Sequence, residues 1–479
     1  MNYPVHATIL EKLMLSYPLQ ECCVWNGTSR SRVMQLRMRI RGLMSLVLLT
    51  VICMAGGARG GSIDHTPMVS VIDQPESLES AWIEAIASAH RLKGSHKTTE
   101  AAHESALAAK ATRLPTVTAE GGYFLLDEAP SAIVSLPGLP GLSMAMDDHF
   151  WAGRVTAAVP LYTSGRISTG VKAAEAGWKA AQAEERREML DLKLDVADAY
   201  VKVLRATQAV QIAASSVTSL TSHSHNVVNL FAKGFVAKTD LLASHVVLAD
   251  ARQREIQAQN SLDLASAGYN RFLVRPLTHA VRLKDLTPPL AAEDVSVLTE
   301  RALQERPELV VLSEQNEALR QEAGSVRAGA LPSVGVSGSY LHLENSVLER
   351  DHVWTVGLVG TWNIFDSGLT RHKARAVDNK ADAVSALLAE ATGVVSLQVR
   401  QFWLEVAETR LRLGVTADAV VQAEENLKVA RDRYRTGTGT STEVLDAETL
   451  RVLSLGNHNN AVYDAVMASF RLRRAVGDL

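Results

Sequence analysis

Two stretches of this chain carry the same message: WAGRVTAAVPLYTSG at 151–165 and WTVGLVGTWNIFDSG at 354–368. They lie 203 positions apart, and each opens on tryptophan and closes on Ser-Gly. At the same offset Tyr200 falls on Trp403, Phe231 on Tyr434, Gly234 on Gly437, and Thr239-Asp240 on Thr442-Glu443. The register holds without a gap from 151 to about 274. Upstream, an offset of 217 places Leu114-Pro115 on Leu331-Pro332 and Ala85-Ile86 on Ala302-Leu303. The 14-residue difference falls in one segment, 116–150 against 333–353, which is therefore expected to be a tolerant loop. A duplication of this length predicts two copies of one supersecondary unit, each needing the other to bury its apolar face. The copies run over 78–275 and 295–479, with a linker at 276–294.

Each unit reads helix, strand, loop, strand, then a long helical hairpin. Positions 151, 153, 155, 157, 159 and 161 are Trp, Gly, Val, Ala, Val and Leu. Their partners 354, 356, 358, 360, 362 and 364 are Trp, Val, Leu, Gly, Trp and Ile, with Arg154, Thr156, Thr355 and Thr361 in between. Period-two alternation predicts strands with one apolar and one polar face. The preceding strands, 116–124 and 333–342, alternate more weakly, with Val334 and Val336 against Ser333, Ser337 and Ser339. Such a strand fits a membrane β-barrel, which takes about 9–11 tilted residues per crossing. It also fits a half-buried strand in a soluble sandwich.

The helices decide between them. Met189, Leu192, Val196, Ala199, Val203, Ala206, Val210, Ala213, Val217 and Leu220 follow an unbroken 3-4 spacing that continues through Ser224 and Val227 to Phe231. The duplicate seam runs Val395, Val399, Phe402, Val406, Thr409, Leu413, Thr416, Val420, Ala423, Leu427, Ala430. Sustained heptads predict coiled-coil packing, and the small alanines allow close approach. From Val171 to Ala232 such a helix spans roughly 90 Å at about 1.5 Å per residue. That length suits a conduit across a periplasm and has no use in a globular domain. The hairpins turn at 235–237 and 438–441, marked by Gly234, Gly437 and Gly439, and return through 241–272 and 444–476. All 14 prolines lie outside 161–275 and 333–479, as long helices require.

Net charge is −3 and the pI near 6.5, so bulk electrostatics points to no nucleic-acid partner. Mean hydropathy is +0.03, and no segment after the leader offers about 20 consecutive apolar residues, which argues against a helical membrane protein. Residues 1–55 read as a leader: Arg37, Arg39 and Arg41 precede an apolar run from Leu43 to Met54 and the small residues Ala55-Gly-Gly-Ala58. Residues 1–33 lack this logic, and translation starting at Met34 or Met38 would account for them. Cleavage would remove Cys22, Cys23 and Cys53 and with them all thiol chemistry. Lipidation of Cys53 is not expected, because Ile52 stands where a small residue is wanted. Four strands cannot close a barrel, since about eight is the practical minimum, and open edges are forbidden in lipid. The chain is therefore expected to oligomerise.

With these features the chain resembles the TolC-like outer-membrane efflux channel family (outer membrane factors), over Leu78 to Leu479. The resemblance rests on the tandem unit, the Leu-Pro before each first strand, and the junctions Tyr162-Thr-Ser-Gly165 and Phe365-Asp-Ser-Gly368. It rests also on the turns Phe231-Ala-Lys-Gly234 with Thr239-Asp-Leu-Leu242, and Tyr434-Arg-Thr-Gly437 with Thr442-Glu-Val-Leu-Asp446. It implies a mostly α fold with transmembrane β-strands: a homotrimer whose twelve strands form one barrel in the outer-membrane lipid, continued by a periplasmic α-helical barrel. The implied function is the passive exit duct of a tripartite efflux pump or type I secretion system, gated at its periplasmic tip. Implied partners are a periplasmic adaptor protein and an inner-membrane transporter of RND, ABC or MFS type. The linker would sit outside the helical barrel near its middle. The alternative class is a periplasmic adaptor (membrane-fusion) protein, which also has coiled-coil hairpins. It would need a lipoyl-like β-domain split around one hairpin, whereas this chain has two.

The resemblance makes Tyr434, Glu443 and Asp446 the periplasmic constriction, and the tips Lys233, Gly234, Phe235, Val236, Gly437, Thr438 and Gly439 the adaptor contacts. Glu443 and Asp446 are three apart and share a helix face. Glu443, and its equivalent Asp240, are equally explained as complements of the helix dipole behind a Ser441 or Thr442 cap. Gly439 stands where the family often has a basic residue. Trp151, Trp354 and Trp362 read as membrane-interface aromatics, or as ordinary strand packing. His90, His96, His103, His223 and His225 lack a ligand framework and read as solvated helix surface, with no metal. No phosphate loop follows a strand and no nucleophile–base set stands out, so neither an enzyme nor a cofactor is expected. The segment 125–149, in part dispensable in the second unit, is expected to be an extracellular loop, so an epitope inserted near Gly138 should bind antibody on intact cells; binding only after the outer membrane is permeabilised would overturn this topology.

Overall fold

The computed structural model of the protein describes residues 75–129, 131–134, 142–145, 147–288, 293–344 and 349–479. The leader with its cysteines, Pro130, Pro137, Gly138, Pro140 and Pro289 lie outside them.

The element order passes twice through one cycle. The first pass holds α1 (Leu78–Ser88), α2 (His90–Ala111), β1 (Thr116–Leu125), β2 (Ser131–Val134), β3 (Leu142–Ala145), β4 (His149–Tyr162), α3 (Arg166–Ala232) and α4 (Lys238–Phe272). The second holds α5 (Val295–Glu305), α6 (Pro307–Ala328), β5 (Ser333–Leu343), β6 (His352–Thr361), α7 (Leu369–Arg435) and α8 (Ser441–Val476). Within 116–150 the plain-loop expectation is corrected, because β2 and β3 pair there as an antiparallel hairpin.

The shared Ser-Gly is a corner. Ser164 and Gly165 have φ of 51° and 88°, and Ser367 and Gly368 have 54° and 83°. Two successive left-handed residues turn the chain from strand into helix, which glycine does without a Cβ clash. Asp366 strengthens the second corner, its carboxylate accepting from the Gly368 and Thr370 amides at 2.9 Å each.

The helices that follow, α3 and α7, are 67 residues each, or about 100 Å at about 1.5 Å per residue. Their buried positions keep the 3-4 spacing: Leu192, Val196, Ala199, Val203, Leu220, Ser224 and Val227 on α3, and Val395, Val399, Thr409, Ala423, Leu427, Ala430 and Tyr434 on α7. The first seam stops at Val227, for Phe231 is exposed at the hairpin end. A second apolar stripe on α7, Leu397, Leu404 and Leu411 at heptad spacing with Val415 beyond, is exposed among the described residues. On α4, Leu242, Val246, Ile256 and Leu264 are exposed in the same way. α7 also has an 18-residue window of mean hydropathy 1.2, apolar enough to cross a membrane by length and composition, in which 11% of residues are buried.

The units meet at mid-length. One cluster gathers Leu78, Ala85, Val196, Tyr200, Tyr269 and Tyr463; the other gathers Leu298, Ala302, Val395, Val399, Leu472 and Val476. Between them the buried Arg474 bridges Asp191 and Glu308, at 2.7 Å each. The linker is pinned to the first unit: the Tyr200 hydroxyl contacts the Glu76 and Lys284 carbonyls at 2.7 and 2.6 Å, and Arg275 pairs with Glu76 and Glu84.

Four strands form one antiparallel sheet in the order β1-β4-β5-β6, so β1 and β6 are open edges. Cross-strand partners share a face. One face carries Tyr123 opposite Trp151, and Val155, Tyr340 and Trp354 in one row. The other carries Glu120 opposite Arg154, and Thr156, Ser339 and Thr355 in one row. The apolar face is bare, with Trp354 74% and Val356 81% exposed. Among the described residues every apolar cluster belongs to the helices; neither face of the sheet has a core.

Candidate functional site: the hairpin tips

At the ends away from the sheet the two hairpins turn in the same way. Gly234 and Gly437 have φ of 78° and 77°. The Phe235 amide donates to the Leu230 carbonyl at 3.0 Å, and the Thr438 amide to the Arg433 carbonyl at 2.9 Å. These are six-to-one closures that need a left-handed residue. Gly439 has another reason: a Cβ there would lie 3.0 Å from the Arg433 Cβ and 3.2 Å from the Tyr434 nitrogen. Phe235 is 75% exposed, Lys233, Gly437 and Thr438 are exposed, and Val236 folds back against the apolar cluster.

The cap of α8 is Thr440, whose hydroxyl accepts from the Glu443 amide at 3.2 Å. Neither Ser441 nor Thr442 serves, and Ser441 is the buried first residue of the helix. Glu443 sits in the first turn, where a carboxylate complements the dipole, and Arg433 reaches it at 3.3 Å. Arg433 thus supplies a basic partner where Gly439 has none. Asp446, one turn deeper, is exposed. Tyr434 is buried in the same cluster as Val227, Leu427 and Val444, and burial raises its pKa. Its hydroxyl lies beside Ser441 without completing a hydrogen bond.

Behind the tips lies a group that the sequence reading did not single out. Glu448 on α8 is 2% exposed, paired with Arg451 at 2.7 Å and with Arg431 of α7 at 3.5 Å. Ser219 of α3 donates to Glu448 and accepts from Arg431, so one hydroxyl joins both hairpins. His223, one turn on, is 5% exposed, which corrects its reading as solvated surface. Its Nε2 meets the Ser441 hydroxyl at 3.0 Å and its ring lies 5.1 Å from that of Tyr434. The available signal was positional: His223 borders Leu220, Ser224 and Val227, and Glu448 and Arg451 continue the face of Val444. The other histidines are peripheral. His96 is exposed and pairs with Glu100 and Glu185, His103 packs on Trp178 at 4.6 Å, and His225 is exposed. Among the described residues no group of three or more His, Cys, Asp or Glu side chains is placed to hold a metal ion.

At the sheet, Trp151 packs on Tyr123 at 5.3 Å and Trp354 on Tyr340 at 4.8 Å, both at the end far from the helices. Trp362 lies just past the other end of β6 and donates to the Ala330 carbonyl at 3.2 Å. The rise from 354 to 362 is about 27 Å at about 3.4 Å per residue.

A four-stranded sheet with a bare apolar face, carried on helical hairpins of this length, is the architecture of the outer-membrane channel class. The chain matches the family model described as "Outer membrane efflux protein" over residues 83–268 and 298–478, and it belongs to that family. It is 23% identical over 399 residues to outer membrane protein TolC of Vibrio cholerae serotype O1, covering 79% of this chain and 86% of that protein. Its fold is similar to VceC from Vibrio cholerae, at a TM-score of 0.71 and 17% identity over 84% of this chain and 96% of that one. It is likewise similar to the open state of the Neisseria gonorrhoeae MtrE outer membrane channel, at a TM-score of 0.68 and 18% identity over 84% and 88%.

The buried carboxylate yields a test. Glu448→Ala leaves the buried Arg451 guanidinium without its counter-charge, which should cost about 3 kcal/mol. Thermal unfolding of the purified protein should show a clearly lowered transition, and an unchanged one would mean that Arg451 finds water instead.

Proposed function

We propose that the chain is one third of a passive outer-membrane exit duct: a homotrimer with a twelve-stranded barrel continued by a helical barrel in the periplasm. The observation that carries this is the sheet, which has two open edges and no core on either face. Pairing β6 of one copy with β1 of the next satisfies every edge, places the tryptophan face in lipid and gives the Glu120–Arg154 face to a watery lumen. The unpartnered stripes on α7 and α4 supply the apolar surface for neighbouring copies. The adaptor alternative is not favoured, for the family match spans both units and the chain carries two hairpins and a membrane-type sheet.

The duct serves a tripartite efflux pump or a type I secretion system. A periplasmic adaptor docks on the tips at Lys233, Gly234, Phe235, Val236, Gly437, Thr438 and Gly439, and an inner-membrane RND, ABC or MFS transporter delivers the cargo. The support is position: the tips lie farthest from the sheet and present exposed backbone and Phe235. Replacing Gly437 by Arg puts a side chain at φ 77° and a charge on this surface. Export should fail while membrane trimers persist, and wild-type export by this variant would refute docking at the tip.

The periplasmic constriction is built from Tyr434, Glu443 and Asp446 of three copies, and it is closed at rest by convergence of the second hairpins. Tyr434 supports the helices from within, while Asp446 faces the axis with Glu443 beside it, partly neutralised by Arg433. Three like charges held close are costly unless hydrated or neutralised, so the ring favours cations and binds divalent ions. Opening is a shear of packed helices driven by adaptor contacts. In planar bilayers, Asp446→Ala, alone and with Glu443→Ala, should weaken cation selectivity and divalent block without altering assembly. Unchanged selectivity and block in both variants would move the constriction elsewhere.

A further inference from the structure

The clasp between the hairpins contains a titratable group that the duct itself does not need. His223 of α3 is buried against α7 and α8, and it is the imidazole that closes this junction: its Nε2 bonds the Ser441 hydroxyl at 3.0 Å and its ring covers Tyr434. The charged groups around it are unbalanced. From α7 comes Arg431, and from α8 come Glu448 and Arg451, so two cations share one buried carboxylate. From α4, Asp240 bears on the Tyr434 hydroxyl. On its own helix, Ser219 one turn back is already engaged by Glu448 and Arg431.

We propose that His223 is a proton-operated release for the hairpin clasp: neutral, it holds α3 against α8; protonated, it adds a cation beside Arg431 and Arg451, which already share Glu448, and drives the hairpins apart. The inference rests on the gated-duct reading, which makes the tip the place where hairpin separation matters. Burial pushes the imidazole below its usual value, chiefly by desolvation and secondly by Arg431, against a smaller pull from Glu448. The clasped state therefore binds fewer protons than a splayed state, in which the ring titrates near its usual value of about 6.5. The clasp keeps its full strength above that value and loses it as pH falls through the window between about 6.5 and the lowered value of the buried ring. Within that window each protomer's splayed-to-clasped ratio rises by up to tenfold per pH unit.

The test separates this release from the duct. Spin labels at Asn226→Cys on α3 and Glu424→Cys on α7, both exposed, report the spacing of the two hairpins in purified protein whether or not it conducts. Between pH 7.5 and 5.5 the wild-type distance distribution should shift towards longer spacings, with the splayed fraction rising by up to about tenfold. His223→Gln keeps a hydrogen-bonding group but cannot be charged, and should hold the short distance at both values. If that variant does not assemble, His223→Leu gives the same reading through its apolar contact with Tyr434. An identical pH response in the variant, or no response in the wild type, overturns the proposal. A pH-dependent separation without any conductance in bilayers would instead sink the duct and leave the release standing.

Discussion

The backbone hydrogen bonds of β1 and β6 govern this structure. Each strand has one edge paired within the chain and one edge open. In water an open edge is a hazard; in a bilayer, where each unmet amide or carbonyl costs several kcal/mol, it cannot persist. In the proposed duct, a four-stranded strip whose apolar face exposes Trp354 and Val356 is completed by two more copies of itself. The lack of a core on either face fits the same proposal, in which one side meets lipid and the other a lumen.

The helices inherit their arrangement from that strip. The Ser-Gly corners turn both second strands directly into 67-residue helices, so the duplicated strands and the duplicated coiled coils keep the same order. Each hairpin packs along one seam within the chain, leaving a second apolar stripe exposed. At mid-length the aromatic cluster around Tyr200 and the buried Arg474 bridge fix the units to each other. Burying an arginine between two carboxylates adds little net stability, but removing any member strands a charge, so the bridge specifies one alignment of the units.

The tips are built differently. Close to the turns the seam takes on polar members, Ser219, His223, Ser441, Glu448 and Arg451, in place of valine and alanine. Such a junction is satisfied in one geometry only and responds to charge, whereas an apolar seam would slide without preference. The proposed gate at the tip would act on this polar clasp.

The sequence alone determined what repeats and alternates. The 203-residue offset, the period-two strands, the heptads and the glycines at 234 and 437 are one-dimensional signals, and the offset holds in the geometry, where Phe235 and Thr438 close their turns alike. Family membership was legible for the same reason, since it rests on motifs at the corners and turns. Tertiary structure decided what depends on neighbours from distant parts of the chain. That β2 and β3 pair within 116–150 was invisible because short strands leave too few alternations. That Thr440 caps α8 turned on one backbone residue among three adjacent hydroxyls. His223 borders the apolar seam of its own helix, but its burial was decided by Tyr434 and Ser441, which cover it from more than 200 positions away. Periodicity shows which face of a helix is apolar; only the approach of another helix settles whether a polar residue at its border meets water or a partner.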